Sequence, residues 1–255
     1  MPKKQTAVDL KKVSVFLQSK GGVGKSFLAY FKLLTLDPSQ AAVVLLDSSQ
    51  KANQNATRHA SILSHEKVKV WDIYNNTNEY KKSHFFDVFE KIAELPASFI
   101  ILDIGAPESN VLREGLATDE ELTGENLKYI ADELGLEIIF NVVVSGADDN
   151  VNENLNYFGA VNELLGRFFT VNMLLNDYTF KADGESETLK NELVADGVVN
   201  DSNIFIAGKS GSRNNDNPYL TIIKLANGEL SMEEATKSMS TRIRVKNILQ
   251  PLTTL

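Results

Sequence analysis

The chain has no cysteine among its 255 residues, so disulfides, cysteine-ligated zinc and iron–sulfur clusters are excluded. Its three histidines, His59, His65 and His84, show no metal-site spacing. No apolar run approaches the roughly 20 residues that a membrane-spanning helix requires. The opening MPKKQTAVDLKK has no apolar segment of the secretory kind, and a cytoplasmic location with no membrane span is expected. Basic residues are outnumbered, 26 Lys plus Arg against 34 Asp plus Glu. The resulting net charge of −8 argues against a surface that binds nucleic acid all over, while leaving a local basic patch open. The rest of the composition, 43% hydrophobic and 24% charged, is that of a globular protein long enough for one large α/β domain or two small ones.

Apolar runs alternate with helical patterns along the chain. Strands are expected at Val13–Gln18, Ala41–Leu46, Phe99–Asp103, Glu137–Val144, Phe169–Leu175 and Asn203–Ala207. Helices are expected at Ser26–Leu36, His84–Leu95, Glu120–Leu134, Asn152–Phe168 and Glu185–Ala195, with one or two more over Met232–Leu249. Ser48–Ser64 is polar and reads as an irregular connector, too long to be without a role. Continuous apolar strands between helices predict an α/β fold, doubly wound, with a mainly parallel sheet and helices on both faces. Nothing divides the chain, so residues 1–255 are expected to form a single domain, with 1–11 as a tail and 209–218 (KSGSRNNDNP) as a flexible loop.

The sharpest local signal is Ser19-Lys20-Gly21-Gly22-Val23-Gly24-Lys25-Ser26, between an apolar strand and a helix. That is the context of a phosphate loop. Glycines let successive backbone N–H groups turn inward around an anion, and the following helix adds the positive end of its dipole. Lys25 can reach the terminal phosphates and the Ser26 hydroxyl can ligate Mg²⁺. Gly21, Gly22, Val23, Gly24, Lys25, Ser26 and Phe27 are therefore the candidate nucleotide-binding set. The strict pattern begins with glycine, and here Ser19 stands in that place. Asp103, ending the apolar run Ile100-Ile101-Leu102, and Asp47, ending Val43-Val44-Leu45-Leu46, lie where doubly wound sheets bind ligands.

Lys20, ahead of the glycines in KGGVGKS, resembles the deviant Walker A loop of the ParA/MinD ATPases, a SIMIBI-like branch of the P-loop NTPases. The resemblance implies ATP/ADP and Mg²⁺ as ligands and a homodimer assembled with ATP. In it, Lys20 would reach the partner's phosphates, and Lys20, Lys25 and Asp47 would be the catalytic set. It also implies Ser26, Asp47 and Asp103 as the metal set, Asp103 being similar to a Walker B aspartate. Asp47 matches the family's first strand-end aspartate. Ser49 stands where a second one positions the attacking water, which implies slow hydrolysis unless Gln50 or Asn53 substitutes. FLQSKGGVGKS, Asn55–Thr57, ILDIGA, VVVSGADD, LLNDY, LSMEEA and TRIRVKNI are similar, in order, to TraL-type proteins of conjugative plasmids. That likeness implies a plasmid transfer or partition protein as partner. Asn176 would correspond to the family's adenine-reading asparagine; as a residue it serves equally well to end a strand in a turn.

Other features carry less. Phe85, Phe86 and Phe89 at helical spacing read as core, and Trp71 as a packed aromatic. Asp119–Glu121 and Asp148–Asp149 read as solvated or helix-start carboxylates. Arg242, Arg244 and Lys246 allow a nucleic-acid contact, although Ala235, Met239 and Ile243 recur at i+4 and are expected to dock that helix on the sheet. Three functions compete: an ATP-dependent switch, a small-molecule ligase or synthase using the same loop, and a nucleotide-binding module that does not hydrolyse. Redox relatives that bridge a cluster through cysteine are excluded.

Overall fold

The computed structural model describes residues 10–49, 51–73, 84–146, 151–208, 221, 224–225, 227 and 229–255. The expected loop at 209–218, the pair Asp148–Asp149, Gln50 and most of the expected tail lie outside them. Seven strands form one sheet: β1 (Lys11–Leu17), β2 (Ala41–Leu46), β3 (Val68–Trp71), β4 (Phe99–Ile104), β5 (Leu136–Ser145), β6 (Thr170–Asn176) and β7 (Ile204–Ala207). Their order is β3-β2-β4-β1-β5-β6-β7, and every neighbouring pair is parallel. The fold is thus a doubly wound α/β fold. The chain runs outward from β1 to β2 and β3, returns to β4, and then crosses to the other side of β1, so the winding reverses around the central strand.

Both faces of the sheet are covered, which is why its strands are apolar at nearly every position. Alternation assigns the faces. Val13, Val15 and Leu17 of β1 join Val44, Leu102 and Val142 in one core, under α3 (His84–Glu94), α5 (Gly124–Glu133) and α6 (Val151–Leu165). Phe16 points the other way, joining Val43, Ile101 and Leu174 under α1 (Lys25–Leu33) and the C-terminal helices. All six side chains of β2 are buried. Phe85 and Phe89 are core residues, as their spacing suggests.

Four elements depart from the sequence expectation. Lys51–Ala60 is a helix, α2, inside the stretch read as irregular. Its apolar signal is weak because Ala52 and His59 are its only fully buried described side chains, one on each of two turns seven residues apart. Ala106–Thr118 is a helix, α4, with proline in its first turn, where a missing N–H costs nothing. Val68–Trp71 is an edge strand too short and too exposed to alternate clearly. Helix α7 (Glu185–Ala195) has the expected bounds.

The fourth departure concerns which face of the last helix is buried: Met232–Ala235 (α8) and Met239–Leu249 (α9) are two helices, as the expectation allowed, each started by a serine cap. Met239 and Ile243, expected to dock on the sheet, are 67% and 53% exposed. Ala235 is buried, but the buried face of α9 is Thr241, Val245 and Ile248, continuing to Leu252. The break between the two helices interrupts the i+4 progression and rotates α9, so one stripe cannot be carried from Ala235 across it.

Candidate functional site

The turn from β1 into α1 is fixed from below by Gln18, 1% exposed. Its Nε2 donates to the Val143 carbonyl at 2.9 Å, and its Oε1 accepts from the Ser19 N–H at 2.8 Å. The Gln18 N–H donates to Ser109 Oγ at 3.2 Å, tying the loop to α4. Gly22 (φ 80°) and Gly24 (φ 94°) take left-handed backbone that side-chain-bearing residues avoid. At Gly24 a Cβ would also run into the amide of Asn176. Helix α1 starts directly after Gly24 with no side-chain cap, no acidic residue in its first turn, and hence N–H groups that face the loop without an internal acceptor.

Lys25 opens that helix and is 8% exposed. Burial draws its pKa below the ordinary lysine value, against the opposing attraction of Asp103, Asp47 and Glu108. Asp103 lies on β4 opposite Phe16 of β1, one strand away from the loop. Burial pushes its carboxyl up to about 6, opposed first by Lys25 and then by the hydrogen bond from Ser26. The Ser26 hydroxyl also accepts from Asn55 Nδ2 at 3.1 Å, which brings α2 into the site. Asp47 follows β2; its Oδ1 accepts from the Ser49 N–H at 2.8 Å, closing a tight turn in which Ser48 and Ser49 are both exposed.

The carboxyl end of the sheet therefore brings together Lys25, Ser26, Asp47 and Asp103. Lys20 stands apart: its Nζ pairs with Glu153 Oε2 of α6 at 3.1 Å, with about a third of its side chain exposed. Phe27 turns away from the loop and packs edge-on against Phe31 and Tyr178, at centroid distances of 4.7 and 5.2 Å; only its backbone N–H is of use to an anion. Asn176 is 3% exposed, and its Nδ2 donates to the Val23 carbonyl at 2.9 Å. That amide braces the turn from β1 into α1. Asn53 is exposed on α2.

Sequence reasoning passed over Gln18, Glu108 and Ser109. Glu108, in the first turn of α4, is fully buried, and its Oε1 accepts from both the Ser48 N–H (3.0 Å) and the Ser48 hydroxyl (2.6 Å). Ser109 Oγ, besides accepting from Gln18, donates to the Ile104 carbonyl at 3.3 Å. Their only sequence signal was a glutamate and a serine five and six residues after a strand-end aspartate, which no general pattern marks.

The donor set fits a nucleotide and Mg²⁺. Uncapped helix N–H groups and a buried lysine suit a polyphosphate. One hydroxyl and two carboxylates suit a hard cation that keeps several waters and takes phosphate oxygens as its other ligands. Among the described residues no group of three or more His, Asp or Glu is arranged to hold a metal by itself. A separate cleft of about 590 Å³, lined by Tyr30, Leu33, Ile62 and Met232 among others, contains none of these site residues. No helix among the described residues is long and apolar enough to cross a membrane.

Fold and site together define a doubly wound α/β protein with a strand–glycine loop–helix turn at the carboxyl end of its central strand. No family model matches the chain, and no curated protein matches it. Solved structures similar to it include a ParA family ATPase from Chlorobium tepidum, 14% identical, with a TM-score of 0.47, over 95% of this chain and 99% of that one. The MinD cell division protein of Aquifex aeolicus is 11% identical, TM-score 0.46, over 96% and 98% of the two chains. A plasmid partition protein from Borrelia burgdorferi is 14% identical, TM-score 0.43, over 86% and 96%.

Proposed function

We propose that this chain is an ATP- and Mg²⁺-binding molecular switch, a weak ATPase whose nucleotide state governs homodimer formation. The observation that carries the reading is the turn into α1. Two left-handed glycines and an uncapped helix start surround the position of Lys25, and Lys25 is buried where Asp103, Asp47 and Glu108 attract its charge. A lysine is held in such a place at a cost in desolvation, which an incoming polyphosphate would offset. Gly21, Gly22, Val23 and Gly24 would offer backbone N–H groups to the phosphates, with Lys25 on the terminal ones. Ser26, with Asp47 and Asp103 through water, would hold Mg²⁺, which when bound neutralises charge on the phosphates. ADP would occupy the same cradle with fewer contacts.

Lys20 would serve a second copy of the chain. It lies outside the glycine nest, and its partly exposed ion pair with Glu153 is of the kind that contributes little and exchanges readily. Releasing it toward the partner's phosphates is therefore cheap. The setting this reading implies is plasmid conjugative transfer or DNA partition, with a transfer or partition protein as partner. The exposed Arg242 and Lys246 leave nucleic acid open as a further one. Residues 1–255 would act as one nucleotide-binding unit.

The test is size-exclusion chromatography with ADP, ATP and a slowly hydrolysed ATP analogue. The parent should shift to a dimer with the analogue and not with ADP. Lys20→Ala should bind the analogue within a few-fold of the parent yet stay monomeric. Equal dimer formation by the two would contradict the role given to Lys20.

A further inference from the structure

Position 49 carries a serine where the resemblance implies a carboxylate that would hold a water against the γ-phosphate, and the buried partner of its neighbour points to what takes that place. We propose that Ser48, oriented by Glu108, holds the attacking water; this rests on the ATP-hydrolysing reading above. Ser48 is exposed, one residue beyond Asp47. Its hydroxyl donates to Glu108 Oε1 at 2.6 Å, and its backbone N–H donates to the same oxygen at 3.0 Å. Glu108 has no exposure to solvent, and its Oε2 has no hydrogen-bond partner among the described residues. A Cβ on Gly105 would run into that Oε2 and come within 3.1 Å of Asp47 Cγ. The glycine after β4 thus lets the carboxylate lie directly behind the Asp47 turn.

A hydroxyl has one proton to donate and two lone pairs to accept with. The Ser48 hydroxyl spends its one proton in the hydrogen bond it donates to Glu108, so toward the site this oxygen can only accept. The bond to a carboxylate is of the charge-assisted kind, which strengthens that acceptor further. Ser48 then offers a water an acceptor of the same sense as a carboxylate at position 49, though a weaker one, in keeping with a weak ATPase. Ser49 does not: its N–H is turned to Asp47, and its hydroxyl has no hydrogen-bond partner among the described residues to fix it. In the step itself the water oxygen bonds to the γ-phosphorus as the bond to the bridging oxygen breaks, its electron pair staying on ADP. Ser48 takes no proton; it accepts a hydrogen bond from the water, whose released proton leaves with the product phosphate. Ser48 is the residue in contact with the reacting water, and Glu108 is a positioning residue.

The experiment measures steady-state phosphate release and, separately, affinity for a fluorescent ATP analogue, in the parent, Ser48→Ala, Glu108→Gln and Ser48→Ala with Ser49→Asp. Ser48→Ala and Glu108→Gln should lower kcat roughly tenfold or more, the worth of one positioned contact, with KM and analogue affinity within about twofold of the parent. Adding Ser49→Asp should restore at least the parent kcat to Ser48→Ala, which a merely structural role for Ser48 would not allow. Ser48→Ala turning over at the parent rate would overturn the proposal, as would a parent that binds the analogue but releases no phosphate. Loss of affinity in step with rate would also overturn it, by making the serine a support of the binding turn. A parent that fails to bind the analogue at all would instead remove the ATP reading itself, and this inference with it. Ser48 is exposed, so its variant decides the matter even if Glu108→Gln folds poorly.

Discussion

His59 is fully buried beside Tyr30, with ring centroids 5.9 Å apart, and neither ring nitrogen has a hydrogen-bond partner among the described residues. Burial, with Arg58 next to it, depresses its pKa from 6.5 to about 4. The sign follows from linkage. The unfolded chain binds the proton more tightly, so the stability His59 permits is complete above about pH 6.5 and is lost as pH falls toward 4. The full effect is on the order of 3 kcal/mol. Asp103, pushed up to about 6, binds its proton more tightly in the folded state and acts in the opposite sense, stability falling as pH rises from 3.8 to 6. Urea unfolding of the parent and of His59→Leu from pH 4 to pH 7 should separate them. The parent should lose stability relative to the variant as pH drops below 6.5, and a constant difference across that range would refute the assignment. None of this was legible beforehand. His59 stands in a polar stretch, and only the α2 helix, itself unread, turns it inward.

At the scale of elements, the sequence pattern marks an element clearly where an apolar run is continuous and faintly where few apolar residues face the core. The inner strands stand close to where their apolar runs put them, because their side chains are buried on both sheet faces; α7 also has its expected bounds, although only Ser186 and Leu193 of it are buried. α2 and α4 carry too few apolar residues for period 3.6 to stand out, yet they supply Asn55 and Glu108 to the site. α9 was read with the wrong face inward, since Met239 and Ile243 are the more apolar-looking pair while Thr241 is the buried partner of Val245 and Ile248. The correction has a measurable form. Ile248→Ala should cost about 2–5 kcal/mol, as truncation of a fully packed side chain does. Met239→Ala and Ile243→Ala should each stay within about 0.5 kcal/mol of the parent. Urea titration of the three variants checks this, and a large loss at Ile243 would return the helix to its expected orientation.

At the scale of the molecule, the site exists because strands far apart in sequence end at the same edge. β1 delivers the glycine loop, β4 delivers Asp103 beside it, and β2 delivers Asp47 beyond β4, an order that parallel pairing with crossovers imposes. The loop itself was legible in the sequence, because its chemistry is local: glycines, Lys25 and Ser26 within one turn. The bracing of that loop by Gln18 and Asn176, and the carboxylate behind Ser48, were not, because each depends on which strand lies next to which. The central claim is that this edge binds ATP with Mg²⁺ through the turn into α1. Isothermal titration with a slowly hydrolysed ATP analogue and Mg²⁺, on the parent and on Lys25→Ala, tests it most directly. The parent should bind at one site per chain, and Lys25→Ala should lose binding by at least about a hundredfold, nearly 3 kcal/mol. Unchanged affinity in Lys25→Ala, or no binding by the parent, would contradict it.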